Sequence, residues 1–262
     1  MLLRVLFVLM LAGMPLKAMA ENQAFEGFSI GADLGTSVNA SKGKSNYSYT
    51  NLFAAAADAS TRDDMAYKSK NAGNFVSDIY ADYNFALTQR AYLGIGPTVF
   101  WQDSMKLKSG TYGFANPNNR ADYPSNYQVT TLIEPDTHVS IGLKPGYAFS
   151  DNVLGYFSFA YHYMRANVTH TTTLDKSHLN AATTITENST SGNFNGLGIG
   201  GGIKYKLNSH WSLNFFTEWV GFQTKKVLGP SLNSVPDEVT LTQNEKVSPR
   251  WVDFRIGLSY KF

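Results

Sequence analysis

Residues 196–219 read Gly-Leu-Gly-Ile-Gly-Gly-Gly-Ile-Lys-Tyr-Lys-Leu-Asn-Ser-His-Trp-Ser-Leu-Asn-Phe-Phe-Thr-Glu-Trp. On either side of Asn208-Ser209-His210, large apolar residues fall on every second position. Leu197, Ile199, Ile203, Tyr205 and Leu207 precede the break, and Trp211, Leu213, Phe215 and Trp219 follow it. Side chains of a strand alternate between its two faces, so a period of two predicts two strands, and the short polar break predicts a tight hairpin. The opposite faces carry Lys204, Lys206 and Glu218. Each strand therefore has one greasy face and one that is small, polar or charged.

The same alternation recurs along the chain, in eight segments altogether. The other six are Phe28 to Leu34, Phe75 to Phe85, Ala91 to Trp101, Val139 to Phe149, Val153 to Tyr163, and Val252 to Phe262. The apolar faces hold no charge, whereas the opposite faces hold Asp33, Asp78, Asp82, Lys144, Lys204, Lys206, Glu218, Asp253, Arg255 and Lys261. Aromatic rings cluster at both ends of the greasy faces. Tyr147, Phe149, Tyr205, Trp211, Tyr260 and Phe262 stand near one rim, and Trp101, Tyr161, Tyr163 and Trp219 near the other. Rings with an apolar body and a wet tip suit a lipid boundary.

Connections alternate in length. Short ones fall near Thr88 to Arg90, Ser150 to Asn152 and Asn208 to His210. Long ones run roughly from Ser37 to Ala72, Asp103 to Asp136, Ala166 to Asn193, and Phe222 to Pro249. Three hairpins echo one another, with Tyr83-Asn-Phe85, Tyr147-Ala-Phe149 and Tyr205-Lys-Leu207 each ahead of a short turn.

Composition agrees with strands in a membrane. Of 262 residues, 14% are aromatic and 16% charged, which excludes a disordered, charge-rich chain. Arg4, the apolar run Val5 to Leu11 and the small residues before Glu21 read as a cleavable export signal over residues 1–20, leaving 21–262 as the mature domain. Losing Arg4 and Lys17 with it balances bases against acids, which argues against nucleic-acid binding. Past Ala20 no apolar run is long enough for a spanning helix, and there is no Cys to form a disulfide. In hydrocarbon every backbone polar group needs a partner, so strands cross only as a closed ring. The fold expected is all-β: an eight-stranded antiparallel transmembrane β-barrel with short periplasmic turns, four long extracellular loops and both termini periplasmic. Ten strands is the alternative, because Asn46 to Thr50 and Glu238 to Thr242 also alternate.

The stretch Gly200 to Leu213, with Glu218 beyond it, resembles the hairpin of small outer-membrane proteins of the opacity, OmpA and OmpX type. The ending Arg255-Ile-Gly-Leu-Ser-Tyr260-Lys-Phe262 is similar to the C-terminal aromatic signal of outer-membrane proteins. The resemblance implies that Tyr260 and Phe262 are read by the outer-membrane assembly machinery. It implies a place in the bacterial outer membrane among its lipid and lipopolysaccharide, and adhesion or surface protection through loops that meet a host or environmental ligand. A small-solute channel is the second reading, and a lipid-modifying enzyme a distant third.

An eight-stranded ring is narrow enough for side chains to fill. Tyr80, Tyr92, Phe100, Tyr156 and Phe216 point inward by parity along with the charges, so a plugged interior is expected. Its ionic network is expected from Asp33, Asp78, Asp82, Lys144, Lys204, Glu218, Asp253 and Arg255. Pro97 and Pro145 fall inside strands, where each marks a bulge or an inexact register.

Chemistry is harder to find. Gly196 to Gly201 matches G-x-G-x-x-G, but a strand pattern follows where a phosphate site needs a helix. Inward glycines making room for the plug is the better reading. His138, His162, His170, His178 and His210 show no metal-ligand spacing. His162 faces inward and is the one candidate base, without a recognisable serine partner. No catalytic residue, metal or cofactor is expected. Among the loops, Leu52 to Ala57 suits a helical turn, the second is aromatic and polar around Tyr112, Phe114, Asn116, Tyr123 and Tyr127, and the third is threonine-rich around Thr169 to Thr173 and Thr183 to Thr186, consistent with strands that continue above the membrane.

Overall fold

The computed structural model describes residues 24–51, 60–69, 72–108, 112–113, 126–175, 184–234 and 239–262. The export-signal segment, Leu52 to Ala57, Phe114, Asn116, Tyr123 and His178 lie outside the described residues. The strands are β1 (Gly27–Asn39), β2 (Lys42–Asn51), β3 (Ser60–Ser69), β4 (Ala72–Ala86), β5 (Ala91–Gln102), β6 (Met105–Lys108) and β7 (Tyr112–Gly113). They continue as β8 (Asn126–Ser150), β9 (Val153–Asp175), β10 (Thr184–Lys206), β11 (Trp211–Phe222), β12 (Lys225–Ser234), β13 (Val239–Ser248) and β14 (Arg250–Lys261).

Eight of them close on themselves. Going round, β1 pairs with β4, β4 with β5, β5 with β8, β8 with β9, β9 with β10, β10 with β11, β11 with β14, and β14 with β1, every pair antiparallel. The ring is an eight-stranded barrel. The two segments that suggested a ninth and tenth strand fall in β2 and β13, which pair with each other as Thr50↔Thr240 and Asn46↔Asn244. They prolong β1 and β14 past short breaks at Ala40-Ser41 and Pro249, with the Ala40 N–H donating to the Arg250 carbonyl at 2.8 Å.

The short connections are tight turns closed by their own side chains. Thr88 Oγ1 accepts from the Arg90 and Ala91 amides at 3.3 and 3.0 Å, and Asn208 Oδ1 does the same for His210 and Trp211 at 2.9 and 2.8 Å. Such local acceptors replace the ladder bonds that a reversal breaks.

Three of the long connections correct the expectation drawn from the sequence, while the third in chain order continues as strands, as its threonines suggest. Much of each is strand: β2 and β3 lie in the first, β6 and the start of β8 in the second, the ends of β9 and β10 in the third, β12 and β13 in the fourth. On β9 the outward positions beyond the girdle are the polar Arg165 and Asn167, so the apolar alternation that flags a lipid-facing strand ends there although the ladder does not. Gly73, at φ 92°, is the extra residue where β4 bulges against β1, since Ser37 faces Asn74 and Val38 faces Ala72.

The prolines also differ from expectation. Register is continuous across both, with Tyr80↔Thr98 and Tyr83↔Ile95 flanking Pro97, and Leu143↔Phe159 and Gly146↔Tyr156 flanking Pro145. Each opens the ladder on one side for two pairs, while the opposite neighbour stays paired as Pro97↔Ile141 and Leu93↔Pro145. A missing N–H removes a bond without inserting a residue. The β8 irregularities instead fall between Pro135 and Thr137 and between Ala148 and Ser150.

The outer wall of the ring is a belt of exposed apolar side chains. Leu34, Phe157 and Leu197 are 58%, 69% and 63% exposed, a surface stable only against lipid. Trp211, Tyr260 and Phe262 form a chain of edge-on rings at 5.2 and 5.0 Å along its short-turn rim.

Candidate functional site

Three layers of described side chains fill the ring along its axis. Nearest the short turns, Phe25 folds back under the ring and meets Tyr92 edge-on at 5.9 Å, with Ala148 and Leu154 completing a buried apolar cap. At the long-loop end, Met105, Leu107, Ile133, Met164, Ala166, Val168, Phe194, Val220, Phe222, Val247 and Trp251 form a second and larger apolar layer. Between them lies the ionic layer.

Arg255 organises it. Its Nε donates to Asp253 Oδ1 at 3.0 Å, Nη2 to Glu218 Oε2 at 3.0 Å, and Nη1 to Asp78 Oδ2. The guanidinium also lies 4.5 Å from the Phe216 ring centre and 5.1 Å from that of Phe100, so aromatic faces cover what carboxylates do not. A planar fork with five donors serves three acids better than an ammonium would.

Two other groupings complete the layer. Lys144 Nζ donates to both oxygens of Asp82 at 2.9 and 2.8 Å, and stands 4.9 Å over the Tyr80 ring. Asp33 is held by a neutral partner: Asn214 Nδ2 donates to Asp33 Oδ2 at 2.9 Å, and Asn214 Oδ1 accepts from the Tyr156 hydroxyl at 2.7 Å. Lys204 is buried in the wall of an interior cavity that Asp33, Asp82 and Lys144 also line, with no ion pair among the described residues. Lys206 and Lys261 lie at the short-turn mouth, where Lys261 Nζ donates to the Ala24 carbonyl at 3.3 Å.

Glycines provide the space. A Cβ on Gly198 would come within 2.5 Å of His162 Nε2 and 2.6 Å of Glu218 Oε1, and one on Gly202 within 2.5 Å of the Tyr156 hydroxyl. The G-x-G-x-x-G string runs through the middle of β10 with no helix after it.

Histidines bridge the ionic layer to the upper apolar one. His162 Nε2 is 3.5 Å from Glu218 Oε1, at the outer limit of a hydrogen bond, and His162 Nδ1 is 3.0 Å from His138 Nε2. His138 stacks on Phe100 at 4.2 Å and meets Trp251 edge-on at 5.5 Å. Above the girdle, buried His170 is 3.1 Å from Thr131 Oγ1, and burial pushes its pKa down to about 4. Among the described residues no group of three His, Asp or Glu is placed to hold a metal.

The upper apolar layer went unread in the sequence, although a signal for it exists. Along β9 the greasy positions are Phe157, Phe159 and Tyr161 outward, then Met164, Ala166 and Val168 inward, while Arg165 and Asn167 take the outward positions. The apolar set changes parity where the wall leaves the lipid belt.

A sequence profile described as "Outer membrane protein beta-barrel domain" matches residues 6–262. The chain belongs to this outer-membrane β-barrel family. No curated protein matches it by sequence. Among solved structures, this family member is similar to the attachment invasion locus protein Ail of Yersinia pestis, with 13% identity, 90% of this chain and 99% of that one covered, and a TM-score of 0.34. It is also similar to the outer membrane protease OmpT of Escherichia coli, at 12% identity, 92% and 100% coverage and a TM-score of 0.49. OprG of Pseudomonas aeruginosa gives 13% identity, 92% and 99% coverage and a TM-score of 0.43.

Proposed function

We propose that this barrel is a closed scaffold of the bacterial outer membrane that displays its long-loop end to the exterior for adhesion or another surface contact. One observation carries the reading: the ionic layer is shut between two buried apolar layers, Phe25 with Tyr92 on one side and Met164 with Trp251 on the other. A solute crossing the ring would have to displace both. The lipid belt is committed to the membrane, which leaves the strands beyond the girdle and the segments that join them to meet a partner.

In this reading the short turns and both termini face the periplasm, lipid and lipopolysaccharide surround the wall, and Tyr260 and Phe262 are presented to the assembly machinery. On the same reading the protein is not an enzyme. His162, the one candidate base, is fully buried, and among the described residues its near polar neighbours are another imidazole and a carboxylate already bound to Arg255 rather than a nucleophile.

Conductance of the refolded protein in a planar bilayer tests this. A silent bilayer is expected, and reproducible single-channel steps would replace the scaffold by a small-solute channel. Deleting residues 52–59, 114–125, 176–183 and 235–238 one segment at a time, with heat-modifiable migration as the folding control, then locates the surface contact. Whole-cell binding to host matrix that survives all four deletions would dismiss adhesion.

A further inference from the structure

Acids and bases that balance over the whole interior do not balance inside the sealed layer. It holds Asp33, Asp78, Asp82, Glu218 and Asp253 against Lys144, Lys204 and Arg255, while Lys206 and Lys261 lie out at the mouth. His138 and His162 add little. The hydrogen bond between their rings needs one nitrogen to accept, so at most one of the two can be a cation and the acids still outnumber the bases.

Of the five acids, Asp33 alone has no base within ion-pair distance among the described residues. Arg255 already serves Asp78, Glu218 and Asp253, and Lys144 serves Asp82. Asp33 and Asp78 face each other directly across β1 and β4. Each is 2% exposed, and the Oδ1 of each is buried without a hydrogen-bond partner. Both line an interior cavity of about 30 Å³, measured as the space open to the centre of a water molecule, together with Thr98, Tyr156 and Asn214. Roughly 10–15 Å³ of such space holds one water, so this one has room for an ion and a ligand water. Like charges directly opposed across a ladder are destabilising, and more so away from bulk water.

We propose that this cavity binds an alkali-metal cation between Asp33 Oδ1 and Asp78 Oδ1. The small cavity, with room for one ligand water, favours a monovalent ion over one that demands a full shell of oxygens. Two carboxylate oxygens with hydroxyl, amide and water oxygens suit a hard ion of single charge, whereas Ca²⁺ takes six to eight oxygens and Mg²⁺ a near-ideal octahedron. The ion cancels repulsion across β1 and β4 and ties the two strands together at mid-wall.

The test uses the whole chain refolded into detergent micelles in sodium, rubidium or choline chloride at equal ionic strength. A ligand of the folded state alone raises stability with the logarithm of its concentration. The unfolding midpoint should climb with sodium or rubidium and stay flat with choline, and Asp33→Asn should lose the alkali-specific climb while keeping heat-modifiable migration. Crystals grown in rubidium chloride should show an anomalous peak between Asp33 and Asp78. Equal midpoints in choline and alkali salts, an alkali-specific climb that survives Asp33→Asn, or a rubidium crystal without the peak would each overturn the site. If Asp33→Asn does not refold, the wild-type rubidium crystal decides.

Discussion

Tyr163 and Met164 are neighbours on β9 that face opposite sides of the wall, and the apolar face of the strand passes from one side to the other between them. Below that point the outside is lipid and the inside ionic. Above it the outside is water and the inside apolar. The same charge should therefore cost very differently on the two parts of one outer face. Ile256 lies midway between the rims, paired to Phe215 and Leu34, so Ile256→Arg is expected to cost about 2–4 kcal/mol. Asn167→Arg, outward on β9 above the girdle, should cost nothing measurable. Reversible urea unfolding in lipid vesicles compares the two, and equal costs would misplace the lipid belt.

Arg255→Ala leaves three buried carboxylates without their shared cation. Removing one partner of a buried ionic group typically costs about 3–5 kcal/mol, so this variant should show a large fall in unfolding midpoint. Glu218→Ala should cost less, because Asp78 and Asp253 remain on the guanidinium. A substitution at Ser189, exposed near the long-loop end, is the control. Midpoints for all three within error of wild type would mean that the pairs contribute nothing to folding.

Gly198→Ala and Gly201→Ala change neighbouring glycines on opposite faces of β10. The first drives a methyl into the His162 and Glu218 side chains, while the second meets the Tyr156 carbonyl at 3.2 Å and otherwise points outward. Overpacking typically costs about 1–3 kcal/mol, and that cost is expected for Gly198→Ala alone. Thermal melts of both variants in detergent make the comparison.

Acid should weaken the long-loop end through His170. With its pKa held at about 4 in the fold and near 6.5 when unfolded, the unfolded chain binds the extra proton between these values. Stability contributed by the neutral buried ring is complete above about pH 6.5 and is lost as pH falls towards 4, a loss of at most about 3 kcal/mol. His170→Gln should flatten the dependence of the midpoint over that window. An unchanged slope would assign it to other groups.

How far the sequence carries depends on what surrounds each residue. In the lipid belt one environment lies outside and another inside, so parity alone separates Leu34, Phe157 and Ile256 from Asp33, Ser158 and Arg255, and the ring of eight follows from backbone groups that hydrocarbon cannot solvate. Pairing within the ionic layer has no such rule. Asp78 and Arg255 are 177 residues apart, and whether Arg255 meets Asp78, Glu218 and Asp253 depends on stagger between strands, which a period of two does not encode. The apolar layers escaped for a related reason: Phe25 precedes the first strand, and Met164 and Trp251 sit where the greasy face has already changed sides. Alternation in the sequence determined that this chain would close around polar side chains within a membrane. Tertiary structure alone decided that the ring is capped at both ends, and that five acids share three bases between the caps, because both depend on which strands closure brings level.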